Sequence, residues 1–330
     1  GCIIACFQQS TMARYFEDSR SADRYARFRP QYPGCLLDKI KDVVSGRDGG
    51  TADKNGHGET ASIEDLRVVD VGCGAGGSTF FLAEAGFKEI CGVDASQAQI
   101  NEAKKALEKK DDDVKQRVEF RIVDCNAGLP FDRDSVDVVI VAAAMHWLEP
   151  VQFYAHVNDI LRAGGYVIAF SYGFSQFQDE DLQRPFDNLS QKTLEKYWEP
   201  EIVHTFTHYK HILEPYDTCK RFTLDWNYRV TLSELINFMS SWTAYPIYCG
   251  QHPDNTILED FEKEVRKVLQ SRHQHGTTPE RNGSADSSDD DPTVEFKFPL
   301  FGFAGRRPCM TSTNKLDGCV RLDVVDKAGQ

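Results

Sequence analysis

The sequence predicts an α/β fold built on a doubly wound, mostly parallel sheet with helices on both faces, and three observations carry that reading. From Leu66 to Ser171, short β-branched runs alternate with longer amphipathic ones, the pattern of βαβ units joined by right-handed crossovers. Val68-Val69-Asp70-Val71 leads straight into a glycine cluster and then Ser78-Thr79-Phe80-Phe81, which reads as a buried strand, a tight turn and a helix start. Asp70, Asp94 and Asp124 stand at the ends of three successive apolar runs. In a parallel sheet those ends share the carboxyl edge, where such folds bind ligands.

Taken in order, residues 12–44 are rich in aromatics and arginines. A proline-bounded turn, Phe28-Arg29-Pro30-Gln31-Tyr32-Pro33, precedes a helix over Gly34–Val44. Ser45–Ser62 is polar and aperiodic, a loop. The alternating region gives strands at Leu66–Val71, Glu89–Val93, Val118–Val123, Val136–Ala142 and Tyr166–Ser171. Helices fall at Ser78–Ala85, Gln97–Lys109 with Ser96 as N-cap, and Val151–Leu161. After residue 172 the alternation stops. Leu182–Tyr197, Leu232–Ala244 and Asn255–Gln270 read as helices, Phe222–Val230 and Thr293–Gly302 as strands, and Arg272–Pro292 as a polar loop carrying Asp289-Asp290-Asp291.

The chain has 330 residues and a formal net charge of −13, which argues against a nucleic-acid backbone as partner. Its 10 cysteines include no C-x-x-C pair, so free thiols in a reducing, cytoplasmic setting are expected. The longest apolar run, Val138 to Met145, is far short of the roughly 20 residues a membrane span needs. The opening Gly1-Cys2-Ile3-Ile4-Ala5 has Ala5 where an acylation motif wants Ser or Thr. Residues 1–11 read as a disordered or spurious extension, 12–308 as the domain and 309–330 as a tail.

Gly72, Gly74 and Gly77 satisfy G-x-G-x-x-G, a spacing that also marks dinucleotide sites. Asp70, just before the first glycine, would repel a pyrophosphate but suits a cationic ligand with an amino-acid end. Asp94 is placed for ribose hydroxyls, which fits either cofactor, and Asp124 for an adenine amino group, with Cys125 beside the ring. S-adenosylmethionine combines those features and carries no phosphate. Gly72, Gly74 and Gly76 would permit its close approach, while Gly77 would ease helix–strand packing.

Several further motifs point the same way. Val69-Asp70-Val71-Gly72-Cys73-Gly74-Ala75-Gly76, Gly92-Val93-Asp94-Ala95-Ser96, Leu129-Pro130-Phe131 with Ser135-Val136-Asp137-Val138-Val139, and Leu161-Arg162-Ala163-Gly164-Gly165-Tyr166-Val167 resemble the motifs of class I S-adenosylmethionine-dependent methyltransferases. The resemblance implies a Rossmann-like, seven-stranded sheet under a helical substrate cap. Residues 66–171 would be the cofactor-binding core, 12–44 and 172–292 the cap and insertions, and 293–304 the last strand. It also implies that Ala95 contacts the cofactor and that Ala143, Met145 and His146 face the reacting methyl. Phe28–Pro33, Met145-His146-Trp147 and Ser241-Trp242-Thr243-Ala244-Tyr245 are similar to the trans-aconitate methyltransferase-like subgroup, which implies O-methylation of a small carboxylic acid.

A carboxylate pocket needs a cation, and Arg29 is the first candidate. Tyr25, Trp147, Trp242 and Tyr245 are candidates for an apolar substrate wall. His146 is a candidate general base near neutral pH, or else a packing or substrate-binding residue. His204, His208 and His211 have metal-compatible spacing, but the intervening Thr, Phe and Tyr favour a strand, and no metal is expected. Two other functions stay open at this point: an NAD(P)-binding oxidoreductase, disfavoured by Asp70 and by the lack of a Tyr-x-x-x-Lys pair after the fourth strand, and a catalytically silent interaction module. The sequence carries no signal of oligomeric state.

Overall fold

The valine run before the glycine turn is buried on both faces, because helices cover both sides of the strand it forms. The computed structural model describes residues 28–46, 62–275 and 291–309. Tyr25, residues 1–11 and residues 310–330 lie outside them. Among the described residues, seven strands form one sheet: β1 (Arg67–Val71), β2 (Glu89–Asp94), β3 (Val118–Ile122), β4 (Val136–Ala142), β5 (Leu161–Tyr172), β6 (Lys220–Thr231) and β7 (Thr293–Arg306). Their spatial order is β3-β2-β1-β4-β5-β7-β6. β1 to β5 pair in parallel, whereas β7 runs antiparallel to both β5 and β6, so the sheet is mixed at one edge.

The order turns back between β1 and β4. In sheets of this type the crevice at the carboxyl ends of two such strands is where ligands bind. Asp70 lies opposite Gly92 of β2 and Ile140 of β4, one residue from that edge.

Alternate residues of β1 feed opposite faces: Val68 packs in one hydrophobic cluster, Val69 and Val71 in the other. The first face is covered by α1 (Gly34–Val44), which buries Leu36, Ile40 and Val43, and by α2 (Gly77–Glu84) and α3 (Gln97–Leu107). The short α4 (Asp112–Arg117) leads into β3. On the second face α5 (Pro150–Ile160) buries Phe153, Val157 and Ile160, the apolar stripe of a helix lying on a sheet.

Beyond β5 the chain builds the cap. α6 (Glu180–Asp187) runs into a π-turn at Asn188–Thr193 and a 3-10 turn at Glu195–Tyr197, in place of the continuous helix expected over Leu182–Tyr197. Pro185 removes a backbone donor within that stretch, and the Ser190 hydroxyl donates to the Phe186 carbonyl. α7 (Val203–Phe206) is a single turn. It replaces the strand expected around the three histidines, and His208 and Tyr209 follow in the left-handed region at φ 51° and 58°. α8 (Leu232–Ser240) opens on a capping box between Thr231 and Glu234. It ends before Trp242, so the helix expected over Leu232–Ala244 divides into α8 and α9 (Ala244–Gln251). α10 spans Ile257–His275. No helix among the described residues is long and apolar enough to cross a membrane. The described cysteines are free thiols.

Candidate active site

The turn after β1 is tied down from both sides. The Gly72 and Cys73 N–H groups both donate to the Val93 carbonyl, at 2.8 and 3.1 Å, which holds the loop against β2. Gly72, Gly74 and Gly76 take φ of 68°, 54° and 91°, values that favour glycine. Gly76 carries a second constraint: a Cβ there would meet Phe120 and Phe80, each at 2.8 Å. Helix–strand packing therefore falls to Gly76, and Gly77, where a Cβ meets nothing within 4 Å, does not share it.

Two carboxylates organise this turn. Asp94 accepts the Gly74 N–H on Oδ2 (2.9 Å) and the Ser96 N–H on Oδ1 (2.8 Å), so it fixes the glycine loop and the start of α3 together. Ser96 in turn caps α3, its hydroxyl oxygen accepting the Gln99 N–H. Asp70 accepts the Ser78 and Thr79 hydroxyls on Oδ2, at 2.7 and 2.6 Å, which ties β1 to the first turn of α2. Its Oδ1 is buried with no hydrogen-bond partner. Burial pushes both carboxyls up from 3.8 to about 6, against the hydrogen bonds that hold them down. An orphaned carboxylate oxygen beside a glycine turn suits a ligand with an ammonium group.

The rest of the predicted cofactor set lies along the same edge. Ala95 is half-buried between Asp94 and Ser96. Asp124 lies two residues past β3, where its Oδ1 accepts the Asn126 N–H (3.1 Å), and Asn126 accepts the Glu149 N–H. Cys125 is buried, and burial pushes its thiol far up, as it does that of Cys73. Both are inert packing groups. Ala143 follows β4 directly, at φ 51° with its N–H bonded to the Phe170 carbonyl (2.7 Å). A non-glycine residue held in that region is strained, and here the strain sits where the edge opens.

At Ala143 a cavity begins. It measures about 670 Å³ counted to its open mouth, within the range of small-molecule pockets. The segment after β4 contributes Ala143, with His146 and Trp147 on the 3-10 turn that follows (Met145–Trp147). β5 and the residues after it contribute Ser171 to Ser175, and β7 contributes Phe298. The cap closes the space with Trp198, Glu199, Ile202, Thr205, Phe206, Phe238, Trp242 and Thr243. Arg29 enters from the N-terminal side. Its Nη1 donates to the Tyr172 hydroxyl at 3.0 Å, and its guanidinium lies 5.7 Å from the Phe238 ring centroid.

The structure therefore brings Arg29, Ala143, His146, Trp147 and Trp242 together. Tyr245 is not in the lining and packs against the core instead. His146 opens partly on the cavity while its Nδ1 is buried without a partner. Burial, with His204 and Arg29 nearby, drives the imidazole down to about 3. The ring is held neutral, and the same lowering makes it a weak proton acceptor near pH 7. Among the described residues no cluster of His, Cys, Asp or Glu is disposed to hold a metal.

Sequence reasoning missed Glu199, Trp198, Phe174, Ser175 and Thr205. Phe174 and Ser175 follow β5 directly, so their position past a strand's carboxyl end was the available signal. The cap residues gave none, since each is a single side chain from an irregular segment.

Residues 69–169 match the model of a methyltransferase domain family. A Dictyostelium discoideum protein named as a methyltransferase is 30% identical over 206 residues, covering 62% of this chain and 74% of its own. The chain belongs to the class I S-adenosylmethionine-dependent methyltransferases. A Saccharomyces cerevisiae protein, CRG1, named as an S-adenosylmethionine-dependent methyltransferase, aligns with this methyltransferase at 25% identity over 282 residues, 77% of this chain and 90% of its own. A solved structure from Anaeromyxobacter dehalogenans, named as a type II methyltransferase, is similar at 25% identity and a TM-score of 0.62, covering 86% of this methyltransferase and 100% of that chain.

Proposed function

We propose that this methyltransferase acts on a small organic acid, methylating a carboxylate oxygen with S-adenosylmethionine as donor. One observation carries the reading: Arg29 stands in an aromatic-walled cavity that opens at Ala143, beside the strand ends where the sheet order reverses. A guanidinium in such surroundings is matched to a carboxylate, which it can grip through two parallel hydrogen bonds. The motifs at Phe28–Pro33, Met145–Trp147 and Ser241–Tyr245, similar to the trans-aconitate methyltransferase-like subgroup, support the same substrate class.

When bound, S-adenosylmethionine supplies an electrophilic methyl on a sulfonium, which a carboxylate oxygen accepts with no proton to be moved. The residues that would hold it are Asp70 and the glycines at 72, 74 and 76 at its amino-acid end, Asp94 with Ala95 at the ribose, and Asp124 with Cys125 at the adenine. The chain's own contribution to the reaction is then alignment and exclusion of water. Arg29 fixes the acid, Trp147 and Trp242 wall it, and the neutral His146 packs or hydrogen-bonds without taking a proton.

The test uses methyl-labelled S-adenosylmethionine with a panel of small organic acids, followed by mild alkali. A carboxyl methyl ester releases its label as methanol, whereas methyl on nitrogen, carbon or an ether oxygen stays bound. Label that survives alkali, or no labelled product from any acid, overturns the carboxylate assignment. Arg29→Met is expected to raise KM for the acid about tenfold or more, through the loss of a charge-assisted hydrogen bond.

A further inference from the structure

Glu199 has no place in a pocket meant for a bare carboxylate. It is 3% exposed, lines the cavity that also holds Arg29, and accepts a hydrogen bond from the Thr243 hydroxyl. Burial raises its carboxyl above the ordinary glutamate value, with Thr243 and Arg29 opposing that rise. An anionic ligand entering alone would add like-charge repulsion to a carboxylate already short of solvent.

Other polar groups of the cavity point to a ligand with more than one polar end. Ser175 is 1% exposed and Thr205 8% exposed, and both line the cavity. The Ser175 Oγ and Thr205 Oγ1 have no hydrogen-bond partner among the described residues, and neither has His146 Nδ1. Native structures seldom leave buried hydroxyls unpaired unless something else completes them. A carboxylate, moreover, can accept about four hydrogen bonds, so the Thr243 hydroxyl and the residue's own backbone N–H do not saturate Glu199.

We infer that Glu199, held by Thr243, receives a hydrogen-bond donor of the substrate, so that the substrate is a hydroxy- or amino-substituted organic acid and not a plain one. This rests on the carboxylic-acid reading above for the Arg29 end only. Glu199 is then a specificity-determining residue. A substrate carrying the donor neutralises or satisfies the acid, and one lacking it leaves a buried carboxylate facing apolar surface. Sites built in this way reject the analogue without the donor more strongly than apolar pockets reject a missing methylene.

The experiment is calorimetric titration of the full chain saturated with S-adenosylhomocysteine, at pH 7.5. The ligands are 3-phenylpropionate, its 2-hydroxy, 4-hydroxy and 2-amino derivatives, and 3-phenylpropanol with its ring-hydroxylated form. At least one substituted acid is expected to bind about tenfold to a hundredfold tighter than 3-phenylpropionate, the range of one hydrogen bond to a charged acceptor. Glu199→Gln is expected to remove most of that gap, in part by tightening 3-phenylpropionate, because the buried negative charge that opposes a plain acid is gone.

Equal binding of plain and substituted acids by the wild-type chain overturns the inference and leaves the carboxylate reading standing. A gap that persists in Glu199→Gln also overturns it. If the hydroxylated phenylpropanol binds as tightly as the best acid and loses its advantage in Glu199→Gln, the Glu199 role holds and the carboxylate reading fails. No binding by any member of the set overturns the inference. The wild-type comparison stands by itself if the variant does not fold. Between the hydroxy and amino arms, the tighter binder identifies the donor.

Discussion

Asp70 and Asp94 are carboxylates that the fold holds at an energetic disadvantage, and that disadvantage has a direction in pH. Both keep their protons up to about pH 6, whereas the ordinary value is 3.8. The stability they contribute is therefore complete below about pH 4 and is lost as pH rises through 6, where the native state must carry buried charge. A cationic ligand prefers the ionised forms, so its affinity runs the other way. Titration calorimetry of S-adenosylmethionine is expected to give about tenfold weaker binding at pH 5 than at pH 7.5 for each carboxyl that must ionise. Affinity independent of pH over that window would show that neither acid meets the cofactor. Asp94→Ala is expected to weaken cofactor binding further, by about tenfold to a hundredfold at pH 7.5. His146 makes the opposite case. An imidazole at about 3 has no inflection to contribute near pH 6.5, and His146→Asn is expected to lower kcat by less than tenfold. Removing a working general base would cost about 10² to 10⁴. At this scale the turn acids were legible, because each stands next to the glycines or closes an apolar run. The environment of His146 was not legible, because burial and the nearby His204 and Arg29 come from segments far apart in the chain.

Among the elements, α2 carries the clearest division of labour. The two adjacent glycines at its start look alike in sequence, yet Gly76 sits at φ 91° against two phenylalanine rings, and Gly77 faces open space as the first helical residue. Gly76→Ala is expected to destabilise the protein by about 1–3 kcal/mol through backbone strain and crowding against Phe120. Gly77→Ala is expected to be neutral or stabilising by up to about 1 kcal/mol from helix propensity. Urea denaturation of the two variants checks the pair, and equal losses would contradict the assignment of packing to Gly76. The strand and helix pattern of residues 66–171 was readable because local apolar periodicity and the parallel sheet agree. Residues 180–206 were misread because Pro185 and the Ser190 side chain interrupt the backbone pattern, and periodicity does not register either effect. Trp242 was found from a motif, yet it lies in the break between α8 and α9 and not within a helix.

For the whole molecule, the carboxyl edge of the sheet and the cavity meet at Ala143, and the two were not equally visible. The edge is encoded within one continuous segment, so a single strand–turn–helix pattern discloses it. The cavity draws on residues from Arg29 to Phe298, brought in by several separate elements, and only topology places them together. The antiparallel return of β7 between β5 and β6 is what sets Phe298 beneath the cap. This arrangement distinguishes the methyltransferase reading from the dinucleotide one by a ligand-linkage measurement. A ligand that binds only the native state at a hundred times its Kd stabilises it by about 2.7 kcal/mol. For a chain of this size that corresponds to a rise of roughly 1–2 °C in Tm for each kcal/mol. S-adenosylhomocysteine at pH 7.5 is therefore expected to raise Tm by several degrees, while NADH at the same concentration leaves it unchanged, since the buried Asp70 opposes a pyrophosphate at the glycine turn. Stabilisation by NADH alone would overturn the assignment of the cofactor. A shift with S-adenosylhomocysteine that persists in Asp94→Ala would keep the cofactor but move its ribose away from β2.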